Sequence, residues 1–333
     1  MASNLNLVTG ATGLLGSHIA HALRQRGEPV RVLVRPSSDL AFLRTLDVEI
    51  VHGDLLDPAS IAKAVAGAGI VYHAAARVGN WGKWRQFRTD VIDTTRNVLD
   101  ACRVARVGRV LHVSSLFVYG HPRIPVNGWI TEVEPHAQHL GFFDYYCRAK
   151  EQAERLAQEY GPELTIVRPS WIFGPRDRNG FPRLVKALTS RWVKIIGDGK
   201  NLLNMVYAAD VADGAIRAAN HPGARGQAYH LCSEGAITQQ DFFDYVTDAL
   251  SLPRISKHMS LRFASWGGLL GEVIGRALRW PRPPHASQYG VHLLTRSTRF
   301  SIAKARDELG WQPQVSPQEG LRRTVEWFLS ESR

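Results

Sequence analysis

Short apolar runs alternate with stretches of helical periodicity over the first 170 residues of the chain. The apolar signal lies in six runs, at 5–9, 30–34, 48–52, 70–73, 109–114 and 164–168. Helical patterns lie between them, as at 18–26, 61–65 and 94–105. Runs this short and this apolar predict strands that are covered on both faces, and the strand–helix alternation predicts a parallel sheet. Because parallel crossovers are right-handed, the expected fold is a doubly wound α/β fold.

The alternation breaks after residue 170. Phe173-Gly174-Pro175 and Asn179-Gly180 predict loops, and Gly197-Asp198-Gly199 predicts a tight turn. A helical stretch at 210–219 and an apolar run at 228–231 are expected to return to the sheet. We therefore divide the chain into a first domain, 1–174 plus about 205–232, and a smaller, mostly helical C-terminal lobe, about 175–204 and 233–333.

Two helices of the C-terminal lobe have recognisable end signals. Ser301 is expected to cap a helix that runs to Leu309 and ends at Gly310. Ser316-Pro317-Gln318-Glu319 has the capping-box pattern with proline in the first turn, which predicts a helix over 317–328. Pro281-Arg282-Pro283-Pro284, ahead of both, predicts a stiff loop.

The composition is that of an ordinary globular protein, with 44% apolar and 21% charged residues, which excludes disordered and fibrous chains. The apolar stretch 263–271 is far shorter than the ~20 residues that cross a bilayer. No secretory signal precedes the first glycine motif. The three cysteines lie far apart and the histidines lack metal-type spacing, so we expect a reduced, cytoplasmic protein without a metal site.

The chain is strongly basic, with a formal net charge of +11 at pH 7. This charge favours anionic partners, such as a phosphorylated cofactor, an acidic substrate or a membrane surface. An arginine-rich surface that only promotes solubility is the plain alternative. Nucleic acid is not expected, because the basic residues are dispersed rather than grouped in one stripe.

The first apolar run leads into Thr9-Gly10-Ala11-Thr12-Gly13-Leu14-Leu15-Gly16, and a helical pattern follows. Glycines at this spacing permit a tight turn, close approach of the backbone to a pyrophosphate, and packing of the helix on the strand. The N–H groups at the helix start then bind phosphate. The predicted dinucleotide-binding residues of this segment are Gly10, Thr12, Gly13, Leu14, Leu15 and Gly16.

The next three strand ends are expected to contact the same dinucleotide. The second strand ends in Val34-Arg35-Pro36-Ser37-Ser38, where a carboxylate would favour NAD and an arginine suits the additional phosphate of NADP. NADP(H) is therefore favoured over NAD(H), although a solvated arginine would give the same pattern. The candidates after the third and fourth strands are Asp54, Leu55, Ala74, Ala75 and Ala76. A helix cap at Asp54 and simple packing of the alanines are the alternatives.

Tyr146 and Lys150 lie four residues apart at the start of a helix that is expected over 144–160. This spacing places the phenol and the ammonium on one helix face, where the cation is expected to lower the tyrosine pKa and allow proton transfer at neutral pH. Tyr145 lacks this spacing. Upstream, the fifth strand ends in Ser114-Ser115 at the sheet edge where such folds bind ligands, so a serine hydroxyl can hold the substrate oxygen beside the tyrosine.

With these motifs the chain resembles the extended short-chain dehydrogenase/reductase family over essentially its whole length. The matching residues are Thr9-Gly10-x-x-Gly13-x-x-Gly16, Ser114-Ser115-x-x-x-Tyr119-Gly120, Tyr146-x-x-x-Lys150 and Arg168-Pro169-x-x-x-x-Gly174-Pro175. The resemblance implies a Rossmann-type fold in which Tyr146 is the acid/base, Ser115 polarises the carbonyl, and Lys150 tunes Tyr146 and holds the nicotinamide ribose. It also implies a structural role for Ser114, a cofactor contact at Pro169 and, by analogy only, a homodimer.

One position departs from the family pattern. The helix before the fifth strand usually begins with an asparagine that braces the active site, and here Asp90 or Val91 takes its place. Segments 168–177, 197–202 and 226–231 resemble 3β-hydroxysteroid and sterol-4-carboxylate 3-dehydrogenases, and 2-alkyl-3-oxoalkanoate and dihydroflavonol-type reductases are similar. Nucleotide-sugar epimerases usually carry asparagine where this chain has Trp171, which argues against UDP-sugars.

The segment 261–280 is apolar and flanked by arginines. It is expected to line a tunnel for a lipid-like substrate or to rest on a membrane surface. A lobe helix that packs on the core is the plain alternative. The run Trp81-Gly82-Lys83-Trp84 lies near the expected substrate entrance and is either a substrate loop or a packing element.

The sequence thus favours an NADP(H)-dependent oxidoreductase that interconverts a ketone and a secondary alcohol on a small hydrophobic molecule, such as a 3-ketosteroid or a β-keto acid. Two alternatives remain. One is an NAD-dependent nucleotide-sugar epimerase or dehydratase. The other is a non-catalytic, dinucleotide-sensing regulator, a class that generally lacks the tyrosine–lysine pair.

Overall fold

The computed structural model describes residues 4–122, 128–284, 287–295 and 298–331. Residues 1–3 of the predicted first domain and residues 332 and 333 of the C-terminal lobe lie outside the described residues. Within these ranges the strands are β1 Asn6–Thr9, β2 Val30–Val34, β3 Glu49–His52, β4 Ile70–His73, β5 Arg109–Val113, β6 Trp129–Ile130, β7 Leu164–Pro169, β8 Trp171–Phe173, β9 Ile195–Ile196, β10 Leu202–Leu203, β11 Met205–Tyr207, β12 Ala228–Leu231, β13 Ile237–Thr238, β14 His258–Met259 and β15 Arg299–Phe300.

The α-helices of the described residues are α1 Leu14–Gln25, α2 Pro58–Val65, α3 Trp84–Phe87, α4 Thr94–Val104, α5 Tyr145–Gln158, α6 Gly180–Thr189, α7 Ala208–Asn220, α8 Gln239–Ala249, α9 Leu261–Ala277, α10 Gln288–Thr295, α11 Ala303–Leu309 and α12 Pro317–Glu331. A π-helical turn, Arg88–Asp93, joins α3 to α4. Short 3₁₀ turns lie at Leu43–Thr45, Leu116–Tyr119 and Pro222–Ala224. Among the described residues, no helix combines the length and the apolar content needed to cross a membrane.

One parallel sheet organises the molecule, with seven strands in the order β12-β7-β5-β4-β1-β2-β3. All six predicted runs and the run at 228–231 lie in this sheet, and their ends differ from the prediction by at most one residue. The Rossmann-type doubly wound α/β fold is therefore confirmed. The strand order reverses between β1 and β4, and folds of this kind bind ligands in the crevice beyond that point.

Successive residues of the central strand pack on opposite faces of the sheet. Val8 belongs to a cluster with Ile19 of α1, whereas Leu7 belongs to a cluster with Ile61 of α2 and Val98 of α4. Burial on both faces explains why the central strands are apolar at nearly every position. Helix α1 begins at Leu14 rather than at residue 18, because the glycine turn leads directly into it.

The segments predicted to form the C-terminal lobe share a cluster of buried residues, which includes Phe181 of α6, Phe242 of α8 and Leu321 of α12. Phe173 and Tyr207, from segments assigned to the first domain, belong to the same cluster. Paired strands of two or three residues lie around it, β8 with β11, β9 with β14 and β10 with β13, whereas the pair of β6 with β15 packs on the cluster of the central sheet. Strands this short show no apolar period, so the sequence analysis missed them. Of the residues predicted to form loops, Gly174, Pro175 and Asn179 lie between β8 and α6, whereas Phe173 ends β8 and Gly180 begins α6.

The end signals of the lobe helices are only partly as predicted. Helix α12 begins at Pro317, where the Ser316 hydroxyl accepts a hydrogen bond from the Glu319 N–H (3.2 Å). Helix α11 begins at Ala303, with Ile302 as its flanking residue, and the Ser301 hydroxyl accepts a hydrogen bond from the Ala303 N–H (3.1 Å). Gly310 ends α11 with a left-handed φ of +60°, as its position predicts.

Candidate active site

The glycine motif forms a tight turn between β1 and α1. Gly10 has a φ of +70°, and a Cβ on it would lie 2.7 Å from the backbone of Ala75. A Cβ on Gly16 would lie 2.2 Å from the Gly10 carbonyl oxygen. The turn therefore packs backbone on backbone at the ends of β1 and β4. The other predicted residues of this edge are Thr12, Gly13, Leu14, Leu15, Ala74 and Ala76.

A buried histidine joins these two strand ends. His73 Nδ1 is hydrogen-bonded to Thr9 Oγ1 (2.8 Å) and His73 Nε2 to Thr95 Oγ1 (3.1 Å). Burial lowers the pKa of His73 to about 3, with the Lys150 charge as a lesser cause, so the ring is neutral. The sequence analysis missed this link because the apolar run does not show whether the side chain of His73, at its end, is buried or exposed.

The end of β2 places Arg35 in solvent. Its side chain is exposed and forms no hydrogen bond or ion pair with the residues that the structure describes. After β3, Asp54 is also exposed, and its Oδ1 accepts a hydrogen bond from the Leu56 N–H (2.9 Å). Asp54 is not the cap of α2, because Asp57 fills that role. Leu55 is half-buried against the core.

A second arginine, which the sequence analysis did not single out, lies beside the glycine turn. Arg176 donates a hydrogen bond from Nε to Ser17 Oγ of α1 (2.9 Å), and its guanidinium carbon lies 4.0 Å from the centre of the Phe42 ring. Its Nη2 is buried without a hydrogen-bond partner among the described residues. Burial lowers the pKa of Arg176 to about 10, so it stays charged at neutral pH. Such a group suits an anion. Its position directly after Gly174-Pro175 is the sequence signal that was available.

Helix α5 and the end of β5 bring the three predicted catalytic residues together. Tyr146, Lys150 and Ser115 are all buried, and the Ser115 hydroxyl, which accepts a hydrogen bond from the Phe117 N–H (3.3 Å), lies beside the Tyr146 phenol. Lys150 Nζ donates to the carbonyl oxygen of Val113 (2.9 Å), two residues before Ser115. The four-residue spacing on the helix thus places the phenol and the ammonium beside the same strand end, as predicted.

The expected lowering of the Tyr146 pKa is wrong. Burial raises the pKa of Tyr146 to about 12, and the hydrogen bond with Ser115 offsets only part of that rise. Burial also lowers the pKa of Lys150 to about 8, against the attraction of Glu154. Desolvation dominates in both cases, because burial disfavours the charged form of each group more than any nearby opposite charge stabilises it. The phenol is therefore protonated at neutral pH.

Asn80 braces the start of the catalytic helix from the loop after β4. Its Oδ1 accepts a hydrogen bond from the Tyr146 backbone N–H (3.0 Å), and its Nδ2 donates to the carbonyl oxygen of Phe143 (2.7 Å). Asn80 is itself buried. It holds the backbone on both sides of Tyr145, and nothing in its sequence context indicated this role.

The position of the missing family asparagine lies in the π-helical turn. Val91 is buried there, and Asp90 forms an ion pair with Arg77 (3.1 Å). A π turn inserts one residue into the helical repeat and shifts the side chains that follow. Neither side chain is an amide, so the departure that the sequence analysis noted is real.

A buried ionic network holds the catalytic helix to the sheet. Glu154 Oε1 accepts hydrogen bonds from Arg168 Nε (3.0 Å) and Nη2 (2.6 Å), and Ser114 donates to Glu154 Oε2. Arg168 also donates a hydrogen bond to the Tyr119 hydroxyl, which is itself hydrogen-bonded to His230 Nε2 (2.6 Å). Ser114 thus links β5 to α5 and does not contribute to the cleft, in keeping with the structural role that the resemblance implied.

An apolar cleft opens beside Tyr146. Its volume is about 450 Å³ with its open mouth included, and it is lined by Leu116, Phe117, Ser170, Trp171, Asn204, His292, Leu293, Thr298 and Phe300. The centres of the Phe117 and Tyr146 rings lie 5.6 Å apart, so the cleft adjoins the catalytic candidate. Trp171 packs on Phe242 of the lobe core, with ring centres 5.3 Å apart.

Four polar residues interrupt this apolar lining, and two of them carry a side-chain atom without a partner in the described part of the chain. Ser170 Oγ and Asn204 Oδ1 are buried without a hydrogen-bond partner among the described residues. A buried polar atom without a partner is costly, which suits these two atoms to a polar group of a ligand. Ser170 follows Arg168-Pro169 directly, yet the sequence analysis treated it only as part of a family segment.

The fold also gathers three side chains that no sequence spacing had suggested. His121, Asp144 and His292 have potential ligand atoms within 4.8 Å of one another, although the sequence analysis expected no metal site. His121 Nε2 is bonded to Asp144 Oδ2 (2.7 Å), and the same oxygen accepts from the Gly141 N–H (2.7 Å). These hydrogen bonds already use the carboxylate oxygen, and the cluster connects α10 to the residue before α5.

Comparisons with known proteins agree with this geometry. The profile of the NAD dependent epimerase/dehydratase family matches residues 6–232. The chain is 30% identical to the 2-alkyl-3-oxoalkanoate reductase of Stenotrophomonas maltophilia over 324 residues, which is 95% of this chain and 97% of that protein. It is 31% identical to sterol demethylase protein B of Methylococcus capsulatus over 335 residues, 97% of each chain.

A solved structure shows the same architecture. The crystal structure of gox2253 has a TM-score of 0.80 and a sequence identity of 28%, and the match covers 99% of both chains. The family profile spans the whole sheet and every residue of the proposed triad. The chain is therefore a member of the NAD dependent epimerase/dehydratase family, the extended short-chain dehydrogenase/reductases, and an NAD(P)-dependent oxidoreductase.

Proposed function

We propose that this protein is an NADP(H)-dependent ketoreductase that interconverts a ketone and a secondary alcohol on a hydrophobic substrate. The observation that carries the proposal is the protonated, buried phenol of Tyr146, which lies beside the Ser115 hydroxyl and packs on Phe117, a residue that lines the apolar cleft. A buried proton donor with a hydroxyl partner is what a carbonyl oxygen needs when it becomes an alcohol.

Three side chains divide the work in this proposal. Tyr146 holds the proton that the ketone oxygen receives, and Ser115 donates a hydrogen bond to the same oxygen. Lys150 is held by the Val113 carbonyl, where its ammonium can bind ribose hydroxyls and stabilise the phenolate that remains. When bound, the nicotinamide supplies or accepts the hydride. Asn80 keeps the backbone of Tyr146 in place throughout.

The crevice beyond β1 and β4 fits a dinucleotide, because the glycine turn leads into α1 and no side chain among the described residues caps the N–H groups at the start of that helix. The pyrophosphate would lie on the N–H groups at the start of α1, with Arg176 as an additional donor. The remaining contacts that we propose are those of Asp54, Leu55, Ala74, Ala75, Ala76 and Pro169. The exposed, unpaired Arg35 supports a preference for NADP(H), since it can pair with a 2′-phosphate.

The cleft supports a lipophilic substrate that carries a second polar group. Most of its lining is apolar, while the Ser170 hydroxyl can donate to a carboxylate and Asn204 Oδ1 can accept from a hydroxyl. A β-keto acid and a 3-ketosteroid both have this character. The names of the relatives, a 2-alkyl-3-oxoalkanoate reductase and a sterol demethylase protein, support the same class.

The test is hydride transfer by the purified protein. We expect consumption of NADPH with a 2-alkyl-3-oxo acid or a 3-ketosteroid, and slower consumption of NADH. Conversion of a UDP-sugar with NAD retained through purification, and no reaction with these ketones, would instead establish the epimerase alternative. Unchanged biological output of the Tyr146→Phe variant with intact cofactor binding would establish the sensor. A homodimer and a cytoplasmic location stay predictions.

A further inference from the structure

Helix α9 is amphipathic, but its apolar face points to solvent and its small or polar face points to the protein. The residues that face the protein are small or polar, and Ala264, Gly268 and Glu272 are buried. The large apolar side chains face solvent instead, with Phe263 68% and Trp266 73% exposed. The other exposed apolar residues of this outer face are Leu261, Leu269, Leu270, Val273, Ile274 and Leu278. An ordinary lobe helix has the opposite arrangement, so the outer face is suited to a partner other than water.

Specific contacts fix this orientation. Arg276 donates to the carbonyl oxygens of Asn80 (3.0 Å) and Gly82 (2.8 Å) in the loop after β4. Glu272 Oε1 accepts a hydrogen bond from the Gln288 N–H of α10 (3.0 Å). Helix α9 cannot turn its apolar face inward without breaking these hydrogen bonds, so the exposed face belongs to the folded state.

Basic residues surround the exposed face. Between residues 251 and 284 the chain has six lysines or arginines and a single carboxylate, that of the buried Glu272. Two of the six are already engaged, because Arg254 is paired with Asp244 and Asp248 and Arg276 is hydrogen-bonded inward. Arg262, Arg279 and Arg282, at the two ends of the helix, are exposed. The exposed Trp280 is of the residue type that favours the membrane–water interface. In a two-fold contact between copies of this chain the same arginines would face each other, whereas an anionic lipid surface complements them.

We propose that the outer face of α9 is a docking surface for an anionic lipid bilayer, with the helix in the membrane plane and its apolar side chains among the acyl chains. This docking surface does not depend on which reaction the protein catalyses. Its link to catalysis rests on the proposed function: α9 binds the Asn80 loop and α10, and Tyr289 of α10 packs on Tyr146 with ring centres 6.1 Å apart. A docked membrane therefore lies against the side of the cleft that α10 forms, and a lipophilic ketone can enter the cleft from the bilayer.

Vesicle flotation of the full-length protein tests the proposal. We expect the protein to float with phosphatidylcholine vesicles that contain phosphatidylglycerol, and to float less without the anionic lipid or at high salt. The variant Phe263→Ser/Leu270→Ser/Ile274→Ser should partition about ten-fold more weakly or worse, because three apolar side chains no longer leave water. Val104→Ser, at an 87% exposed apolar position on α4, is the matched control and should float like the wild type.

The charge component has its own variant. Arg262→Gln and Arg279→Gln should each weaken binding to the anionic vesicles by about five-fold and leave binding to neutral vesicles unchanged. Absence of flotation by the wild type, or equal flotation of the serine variant and Val104→Ser, overturns the proposal. The proposal is also overturned if the wild type is a dimer that does not float and the serine variant is a monomer, since the face then binds a second copy of the chain. Turnover of a short, water-soluble ketone should be the same in all these variants, which separates a failure of docking from a failure of the proposed reaction.

Discussion

The sheet half of the molecule and helix α9 of the C-terminal lobe bury opposite kinds of side chain. In the sheet half, apolar residues are inside and many of the buried polar groups are paired, as Glu154 is with Arg168 and His73 with Thr9, although His112 has no hydrogen-bond partner among the described residues. In α9, glycine, alanine and a glutamate are inside, and phenylalanine and tryptophan are outside.

The difference shows which demands act on each region. The sheet half must hold a phenol, a hydroxyl and an ammonium in fixed relation, so its polar groups are buried with partners that set their positions. Helix α9 keeps only enough inward contacts to stay in place and leaves its apolar area available. We therefore expect substitutions in the sheet half to change catalysis or folding strongly, and substitutions on the outer face of α9 to leave both nearly unchanged.

The largest effect is expected at Tyr146. Tyr146→Phe removes the hydroxyl that donates the proton, so kcat for ketone reduction should fall by about 10²–10⁴ while the protein still binds cofactor. Tyr145→Phe is the matched control, since the neighbouring tyrosine contacts Trp84 and Phe87 and lies outside the triad. Steady-state kinetics and cofactor titration check both variants. Equal losses in the two variants would mean that the helix, and not the phenol, is what matters.

The next effect is on folding. Glu154→Gln leaves the Arg168 guanidinium buried without its counter-charge, and it should lower the free energy of unfolding by about 3–5 kcal/mol. Glu151→Gln, one turn earlier on α5, loses only a pair with the exposed Arg155 and should cost about 1 kcal/mol or less. Denaturant unfolding of the two variants measures the difference. Similar losses would show that the network adds nothing beyond an ordinary surface pair.

The positions of the sheet strands along the chain could be predicted from the sequence because burial on both faces leaves a continuous apolar run. The β1 and β5 runs were each one residue too long, and the run 228–231 matched β12 in full. The paired strands of the lobe could not be predicted, because two or three residues show no period. The inverted face of α9 was also hidden, since an apolar segment such as 261–280 looks the same whether its side chains point inward or outward.

The candidate site divides in the same way. Tyr146 and Lys150 are predictable from helical spacing, and a strand end places Ser114 and Ser115 near them without any knowledge of the tertiary contacts. The choice of Ser115 over Ser114 came from the family resemblance. Asn80 and Arg176 are not, since they reach the site from loops whose course depends on the packing of the whole chain. The pKa of Tyr146 was predicted in the wrong direction because the spacing shows a neighbouring cation but does not show burial.

Cofactor preference is a smaller and more local test of the sheet half. Arg35→Ser removes the exposed guanidinium at the end of β2 and should lower kcat/KM with NADPH about ten-fold while that with NADH changes little, because one charge-assisted contact to the 2′-phosphate is lost. Arg44→Ser, another exposed arginine just beyond β2, is the control. If both cofactors lose equally, Arg35 does not read the phosphate.

The pH dependence tests the buried ammonium. Burial lowers the pKa of Lys150 to about 8, so the group is charged below that pH and loses its proton above it. Because ketone reduction needs the cation, kcat/KM should be flat near neutral pH and fall about five-fold between pH 8 and pH 9. Tyr146, with a pKa of about 12, stays protonated over this range and does not contribute to the fall. A profile that stays flat through pH 9 would contradict the role of Lys150.

The smallest effect separates the two faces of α9 itself. A Cβ on Gly267 meets nothing within 4 Å, so Gly267→Ala should raise the free energy of unfolding by about 0.5–1 kcal/mol through the better helix propensity of alanine. A Cβ on Gly275 would lie 2.9 Å from the Trp81 ring, which is held by a hydrogen bond to the Trp280 carbonyl (3.1 Å), so Gly275→Ala should destabilise. Opposite signs in denaturant unfolding would locate the packed face of the helix. A gain in both variants would mean that the inward contacts of α9 are loose, and the helix would then be free to bury its apolar side chains.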